Sequence, residues 1–349
     1  MADTKIAQVA PELVMKYWAK TTWKAGVEDT FFNKFMGKSA SDCIHIKEEL
    51  AKGPGDSINI PLLMALKGPG VLEDNWMEGN EEQLVYRSFD VGISRVRNAV
   101  RLEGKFDEHK TQINMRRDAK DSLSAWLTDW IDNALFGVLT GVLPENFSTA
   151  AQFPFELLPP TADRVVYGGG QTSEGDITPA DKFTPDMIGI CKRKAIEDKH
   201  KRMRPLRDGG RDLYVMVIDP FQARDLREDP KWLDAQHYAN IRGEKNPIFS
   251  GALGMYEGVI VHECTRVPRT ATGKSDAKVG HALFLGAQAA VFAQGTPPEW
   301  SEDTFDYGNK WGTSFGRIFG LKRSQFKFDG TNNTDFGVIN VITSSADDQ

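Results

Sequence analysis

The sequence predicts an α+β fold on three observations. Apolar and polar residues alternate from Asp56 toward Leu102, which is the periodicity of strand; from Asp107 to about Thr140 apolar residues recur at three- and four-residue steps, which is the periodicity of helix. Beyond Arg211 short runs of both kinds follow one another irregularly, and only some spacings allow a crossover.

The first fifty residues are amphipathic and aromatic-rich, with Tyr17, Trp18 and Trp23 followed by Phe31, Phe32 and Phe35. A helix is predicted from Pro11 to Lys24, with Pro11 in its first turn, where a missing N–H costs nothing. Two readings are open: a helix covering its own core, or an arm lying on a neighbouring copy.

From Asp56, Ile58, Ile60, Leu62 and Met64 alternate with other residues, and Pro61 predicts an edge position. A turn-rich, acidic stretch follows through Glu73, Asp74, Trp76, Glu78, Glu81 and Glu82, and a second extended run spans Gln83 to about Leu102. Two extended arms joined by a polar tip describe a protruding hairpin. An isolated hairpin is marginal in water, so it must lie on its own domain or on another copy.

In the helix from Asp107, Ala119, Leu123, Leu127, Trp130, Ile131, Ala134, Leu135 and Val138 form one stripe, with Asp107 as N-cap and Gly141 as stop. Such a length requires something to run alongside it. Val142 to Pro185, rich in proline and carrying Gly168-Gly169-Gly170, predicts loop and short strands; a helix is expected from Pro185 to Lys201. Leu213–Ile218 predicts a strand running into a helix at Asp219-Pro220, with further strands at Gly258 to His262, within Ala282 to Phe292, and at Gly337 to Ile342.

With 349 residues, 40% hydrophobic and 26% charged, the chain can bury a real core, and its 32 glycines and 17 prolines predict a loop-rich molecule of two or three lobes. The start, Met1-Ala2-Asp3-Thr4-Lys5, lacks the basic and apolar regions of a signal peptide, and no stretch approaches a membrane span, so a soluble protein is expected. Cys43, Cys191 and Cys264 match no zinc or redox spacing and predict buried thiols. A formal charge of -6 argues against affinity gained by wrapping nucleic acid.

Enzyme motifs fail on inspection. Gly312-Thr313-Ser314-Phe315-Gly316 fits the nucleophile-elbow string, but a polar stretch precedes it and the last histidine, His281, lies before it. Gly37-Lys38-Ser39 and Gly273-Lys274-Ser275 lack the first glycine of a phosphate loop, replaced by Phe32 and Pro268. His262-Glu263 begins a zinc-protease string that ends at Arg266, and the other histidines show no metal spacing. No catalytic residue, metal or cofactor is assigned. One basic run stands out, Lys192-Arg193-Lys194 continuing through Lys199 to Arg202 and Arg204; a solvated helix face, a patch for the acidic hairpin of a neighbour, and a DNA contact all remain open.

Several stretches together carry a resemblance. Phe31-Phe32-Asn33-Lys34-Phe35-Met36-Gly37, Asp56-x-Ile58-x-Ile60-Pro61-Leu62, Glu78-Gly79-Asn80-Glu81-Glu82 and Asn98-Ala99-Val100-Arg101 are similar to the N-four-type phage major capsid proteins. So are Val217-Ile218-Asp219-Pro220-Phe221-Gln222-Ala223 and Asn246-Pro247-Ile248-Phe249-x-Gly251-Ala252-Leu253-Gly254. The set covers most of the chain and is weakest over Val142 to Ala180, which looks like an insertion.

The resemblance implies the Hong Kong 97-type capsid fold and a division into an N-terminal arm (1–55), an extended hairpin or E-loop (56–104), a peripheral domain with the spine helix (105–210), an axial domain (211–295) and a return to the peripheral domain (296–349). It implies a structural subunit that self-assembles into pentamers and hexamers, an icosahedral phage head enclosing double-stranded DNA without sequence-specific binding. Scaffolding, portal and decoration proteins are its candidate partners, with no membrane involved, and assembly belongs to the host cytoplasm. Under this reading Glu73, Asp74, Trp76, Glu78, Glu81 and Glu82 meet a neighbour's basic residues, for which Arg87, Arg95, Arg101, Lys192, Arg193 and Lys194 are the candidates. The alternatives are a non-viral nanocompartment shell and a serine hydrolase using Ser314.

Overall fold

A computed structural model describes residues 11–48, 55–66, 68, 70–103, 115–197, 201–208, 210–238, 253–328 and 330–347. The chain begins with helix α1 (Pro11–Glu28) and a 3-10 turn (Phe31–Phe35), then runs through the hairpin strands β1 (Ser57–Leu63) and β2 (Tyr86–Gly92). Strand β3 (Ser94–Arg101) precedes the long helix α2 (Met115–Thr140). Helix α3 (Pro185–Glu197), strand β4 (Arg211–Ile218) and helices α4 (Pro220–Glu228) and α5 (Pro230–Tyr238) follow. Six further principal strands complete the fold: β5 (Val259–Glu263), β6 (Val279–Leu285), β7 (Ala290–Gln294), β8 (Glu299–Phe305), β9 (Lys310–Arg323) and β10 (Val338–Ser344).

Helix α2 buries the stripe that its spacing predicts, including Leu123, Leu127, Ile131, Ala134, Leu135 and Val138. Its 26 residues span about 39 Å, and the expected turns from Asp107 lie outside the described residues. The helix stops at Gly141, whose φ of +78° is left-handed and whose N–H returns to the Gly137 carbonyl at 2.8 Å. A Cβ there would meet the Leu158 carbonyl oxygen at 2.4 Å, so glycine is needed for conformation and for space.

The element alongside α2 is α1. Gly26 brings the two helices close, since a Cβ there would stand 2.8 Å from Leu127 Cδ2, and Thr128 Oγ1 donates to the Gly26 carbonyl at 2.9 Å. Trp23 sits against Phe292 and Phe319 under the Arg317 guanidinium, 3.6 Å from its ring. The described part of the arm therefore covers its own core.

Two sheets flank this core. In the first, β9 is central: β3 pairs antiparallel along Gly312–Phe319, while β8 and β7 share its other side. In the second, β6 lies antiparallel between β10 and β4, and β5 runs parallel to β4. Alternation along β4 sends Val215 and Val217 into the α2 core and Tyr214, Met216 and Ile218 into a second core with α3, α4 and α5. Burial on both faces explains why β4 reads as a continuous apolar run.

The structure departs from these expectations, or adds to them, at four places. The extended run Gln83–Leu102 is not one arm, because β2 pairs with β1 only to Gly92 and β3 leaves to join β9. The helix after Asp219 is two helices, since Pro230 cannot continue the hydrogen-bond ladder of α4; Asp219 caps α4, in a reciprocal capping box with Gln222. The stretch Val142–Pro185 has the expected loops and one short strand, Val165–Tyr167, but it is packed, burying Phe153, Phe155, Ile177 and Phe183. Strands β8 and β9 were not expected, because polar outward residues and Gly312, Gly316 and Gly320 obscure their period.

Candidate functional site

The hairpin is anchored at its base and open at its tip. Strands β1 and β2 pair antiparallel from Ser57↔Gly92 to Leu63↔Tyr86. Ile58, Phe89 and Val91 are buried against Val291 and Ala293 of β7 and against Phe326, Phe328 and Phe336. Among the described residues β1 pairs with β2 alone, so Pro61 does stand on an edge strand.

Past Leu63 and Tyr86 the chain leaves the sheet, and local hydrogen bonds shape the tip. Asn75 Nδ2 donates to the Leu72 carbonyl at 2.7 Å and Asn80 Nδ2 to that of Trp76 at 2.9 Å. The Gly79 N–H donates to Glu81 Oε2 at 2.8 Å and the Gly68 N–H to Glu82 Oε2 at 2.7 Å. Apolar side chains are left outside: of twelve exposed large hydrophobic residues among those described, eight lie between Leu63 and Tyr86. Trp76 is 78% exposed, and Leu72, Met77, Leu66 and Leu84 join it. A concentration of this kind marks an interaction surface.

Glu73, Asp74, Glu78, Glu81 and Glu82 all stand exposed around these apolar residues, Glu73 in the left-handed region at φ +56°. The basic candidates are dispersed. Arg87 lies half-buried on β2, beside Met64, Val85 and Phe328. Arg95 and Arg101 belong to β3: Arg95 Nη2 pairs with Glu299 Oε2 at 2.8 Å, and the Arg101 guanidinium lies 4.5 Å from the Phe305 ring centre. On α3, Lys192 donates to the Glu257 carbonyl and Lys194 to that of Val165, while Arg193 is exposed. Sequence reasoning found the acids and Trp76 of the tip but missed Leu66, Leu72, Met77 and Leu84, whose signal was apolar residues inside a stretch with no regular period.

The Gly312–Gly316 string takes on a structural meaning. Ser314 stands in mid-strand, paired with Ala99 on one side and Ser301 on the other, and not at a strand-to-helix turn. Gly316 lies between Arg97 and Glu299, and Gly312 between Arg101 and Asp303. Bare positions on the central strand let flanking side chains reach over it: the Phe305 ring comes within 3.1 Å of where a Gly312 Cβ would stand. No group of His, Cys, Asp and Glu suited to a metal occurs among the described residues, and none of their helices is long and apolar enough to cross a membrane.

Residues 7–347 match the phage capsid protein family. The chain belongs to that family. It is 32% identical to the major capsid protein of Pseudomonas phage KPP25 over 357 residues, covering 94% of each sequence. The capsid of Ralstonia phage GP4 superposes with a TM-score of 0.80 at 31% identity, over 92% of each chain. The capsid asymmetric unit of Cyanophage Pam1 gives 0.76 at 23% identity, over 92% of this chain and 94% of that one. This capsid protein has the Hong Kong 97-type fold and is the major capsid protein that forms a phage head shell. A phage capsid, and not a nanocompartment, is what the family match selects.

Proposed function

We propose that copies of this capsid protein close head-to-tail into pentamers and hexamers that tile an icosahedral head around double-stranded DNA, each copy docking its hairpin tip on the next. The observation that carries this reading is the tip itself, a hydrogen-bonded cluster of outward apolar side chains ringed by carboxylates. Heterologous contacts close into rings when the rotation permits. Many modest contacts per subunit then add to a durable container. The -6 charge supports enclosure of DNA without sequence-specific binding.

In this reading residues 56–104 are the E-loop, 105–210 carry the spine helix α2, 211–295 form the axial domain, and 296–349 return to the peripheral domain. Assembly takes place in the host cytoplasm, with scaffolding, portal and decoration proteins as the classes of partner. The test is Trp76→Ala combined with Glu78→Lys and Glu81→Lys. Sedimentation and negative-stain microscopy should show a large loss of shells from a subunit that still folds, and an unchanged shell yield would overturn tip docking.

A further inference from the structure

Resting on that docking, we infer that the receptor for the tip is an arginine-lined cleft on a second copy, formed by Ser41, Arg202, Arg204 and Arg207. The cleft has a volume of ≈ 560 Å³, and Asp212 and Ala287 also line it.

The segment that builds it is fixed from behind. Met203 is buried, its N–H donates to the Ala195 carbonyl at 2.9 Å, and its own carbonyl accepts from the Tyr214 hydroxyl at 3.3 Å. The Arg204 carbonyl accepts from the Ala287 N–H at 2.8 Å, and Leu206–Asp208 pairs antiparallel with the start of β4. With the backbone held this way, Arg202, Arg204 and Arg207 project outward and are exposed. The sequence places Arg202 and Arg204 with the basic run of α3, but the structure separates them: Lys192 and Lys194 turn to carbonyls of their own chain, while the arginines open onto the cleft.

These guanidiniums retain capacity for a ligand. Arg207 Nε stands 3.8 Å from Asp212 Oδ1, with both side chains more than half exposed, a geometry that contributes little. The Arg204 guanidinium lies 5.7 Å from the Phe336 ring centre. Arg202 lies beside the Tyr214 hydroxyl. Three arginines against one aspartate leave a surplus of two positive charges in the lining. The planar guanidinium fork suits carboxylates.

The hairpin tip is the complement. Met64–Val85 contains five carboxylates and one lysine, a surplus of four negative charges. In a shell of identical copies, opposite surpluses on different surfaces of one subunit are neutralised by head-to-tail contact. Duplex DNA is the other polyanion such a head holds, but it presents phosphates along a line and calls for a stripe of Lys and Arg. Three arginines converging on one concavity fit a compact cluster of carboxylates.

The experiment is a charge swap read by the yield of DNA-free shells. Arg202→Glu, Arg204→Glu and Arg207→Glu together should lower that yield on the order of tenfold, as juxtaposed like charges do at an interface. Glu73→Lys, Asp74→Lys, Glu78→Lys and Glu81→Lys in the tip should do the same, and the combined variant should recover most of the loss. If tip reversal lowers the yield while cleft reversal does not, the receptor assignment is wrong and docking stands. If neither matters, docking itself fails. Normal empty shells with a defect confined to DNA-filled heads would make the cleft a nucleic-acid contact and also overturn the inference. Should the triple reversal unfold, Arg204→Gln with Arg207→Gln replaces it; assembly of this variant should depend less steeply on salt than that of the wild type, and equal slopes would count against the assignment.

Discussion

Arg323 and Asp335 form an ion pair inside the protein, Nε to Oδ1 at 2.9 Å, with each side chain 1% exposed. The guanidinium also donates to the Leu139 carbonyl at 3.0 Å, the Leu158 carbonyl at 2.6 Å and the Pro159 carbonyl at 2.7 Å. Asp335 accepts from the Thr161 N–H at 2.9 Å and from Gln325 Nε2 at 2.8 Å. One buried pair thus ties together the C-terminal end of α2, the loop at 158–161, the end of β9 and the ribbon after it. Burial pulls the Arg323 pKa down and the Asp335 charge opposes that pull.

Arg323→Met should therefore destabilise the unassembled subunit by about 3–5 kcal/mol, because it leaves a buried carboxylate without its cation and three carbonyls without donors. Denaturant unfolding measures this directly. Arg323→Lys keeps the charge but loses the fork, so it should fall between the two; a Met variant as stable as wild type would show that the pair contributes nothing net.

This pair also shows where sequence reading stops. Helix α2 was legible because Leu123, Leu127, Ile131 and Leu135 repeat at helical spacing, and β4 because both of its faces are covered. Arg323 and Asp335 read as ordinary surface charges, since nothing local says that a charged residue is buried with its partner. Strand β9 was hidden for a related reason: Gly312 lies against the Phe305 ring of β8 and Gly316 against Arg97 of β3, and that need is visible only once three strands lie side by side. The acids of the tip were legible as a cluster between turn residues. In the proposed docking the residues that meet them lie on another copy, and sequence order carries no information about distance between copies.

Asp132 performs a similar task two turns earlier in α2. Fully buried, it accepts from the Phe31 N–H at 2.9 Å and from Arg266 Nη1 at 3.0 Å, joining the 3-10 turn and the loop after β5 to the helix. Burial raises its pKa, against the opposing hydrogen bond from Phe31 and the charge of Arg266. Asp132→Ala leaves a partly buried N–H without an acceptor and a guanidinium without one of its carboxylates, a loss of about 2–4 kcal/mol. Limited proteolysis should cut first between α1 and the 3-10 turn, and an unchanged cleavage pattern would refute the tether.

Glu174 gives the protein a defined response to acid. Its Oε1 lies 3.3 Å from His281 Nε2 and 3.0 Å from Thr270 Oγ1, with Thr272 also donating; the His281 hydrogen bond is the leading cause that holds the pKa at about 2, from an ordinary 4.5. A carboxylate depressed in the folded state contributes stability that is complete above its unfolded pKa and is lost as pH falls through the folded one. The stability difference between wild type and Glu174→Gln should accordingly be constant at neutral pH and shrink between about pH 4.5 and 2. Denaturation midpoints taken across that range decide the matter, and a difference that persists at the acid end would show that the effect is not electrostatic.

The seat of the hairpin is set by Gly320. A Cβ there would stand 2.3 Å from the Gly92 carbonyl oxygen, at the corner where the chain passes from β2 to β3. Backbone would have to move, because the contact is with main-chain atoms and not with the end of a flexible side chain. Gly320→Ala should cost about 1–3 kcal/mol and tilt β1 and β2 away from Phe326 and Phe336. Gly316→Ala is the control: its Cβ would meet Arg97 Cβ at 3.2 Å, a contact that a small shift relieves. If the base of the hairpin aims the tip, Gly320→Ala should lower shell yield well beyond Gly316→Ala at matched subunit stability. Equal yields from the two variants would mean that the tip finds its neighbour whatever the angle of its base.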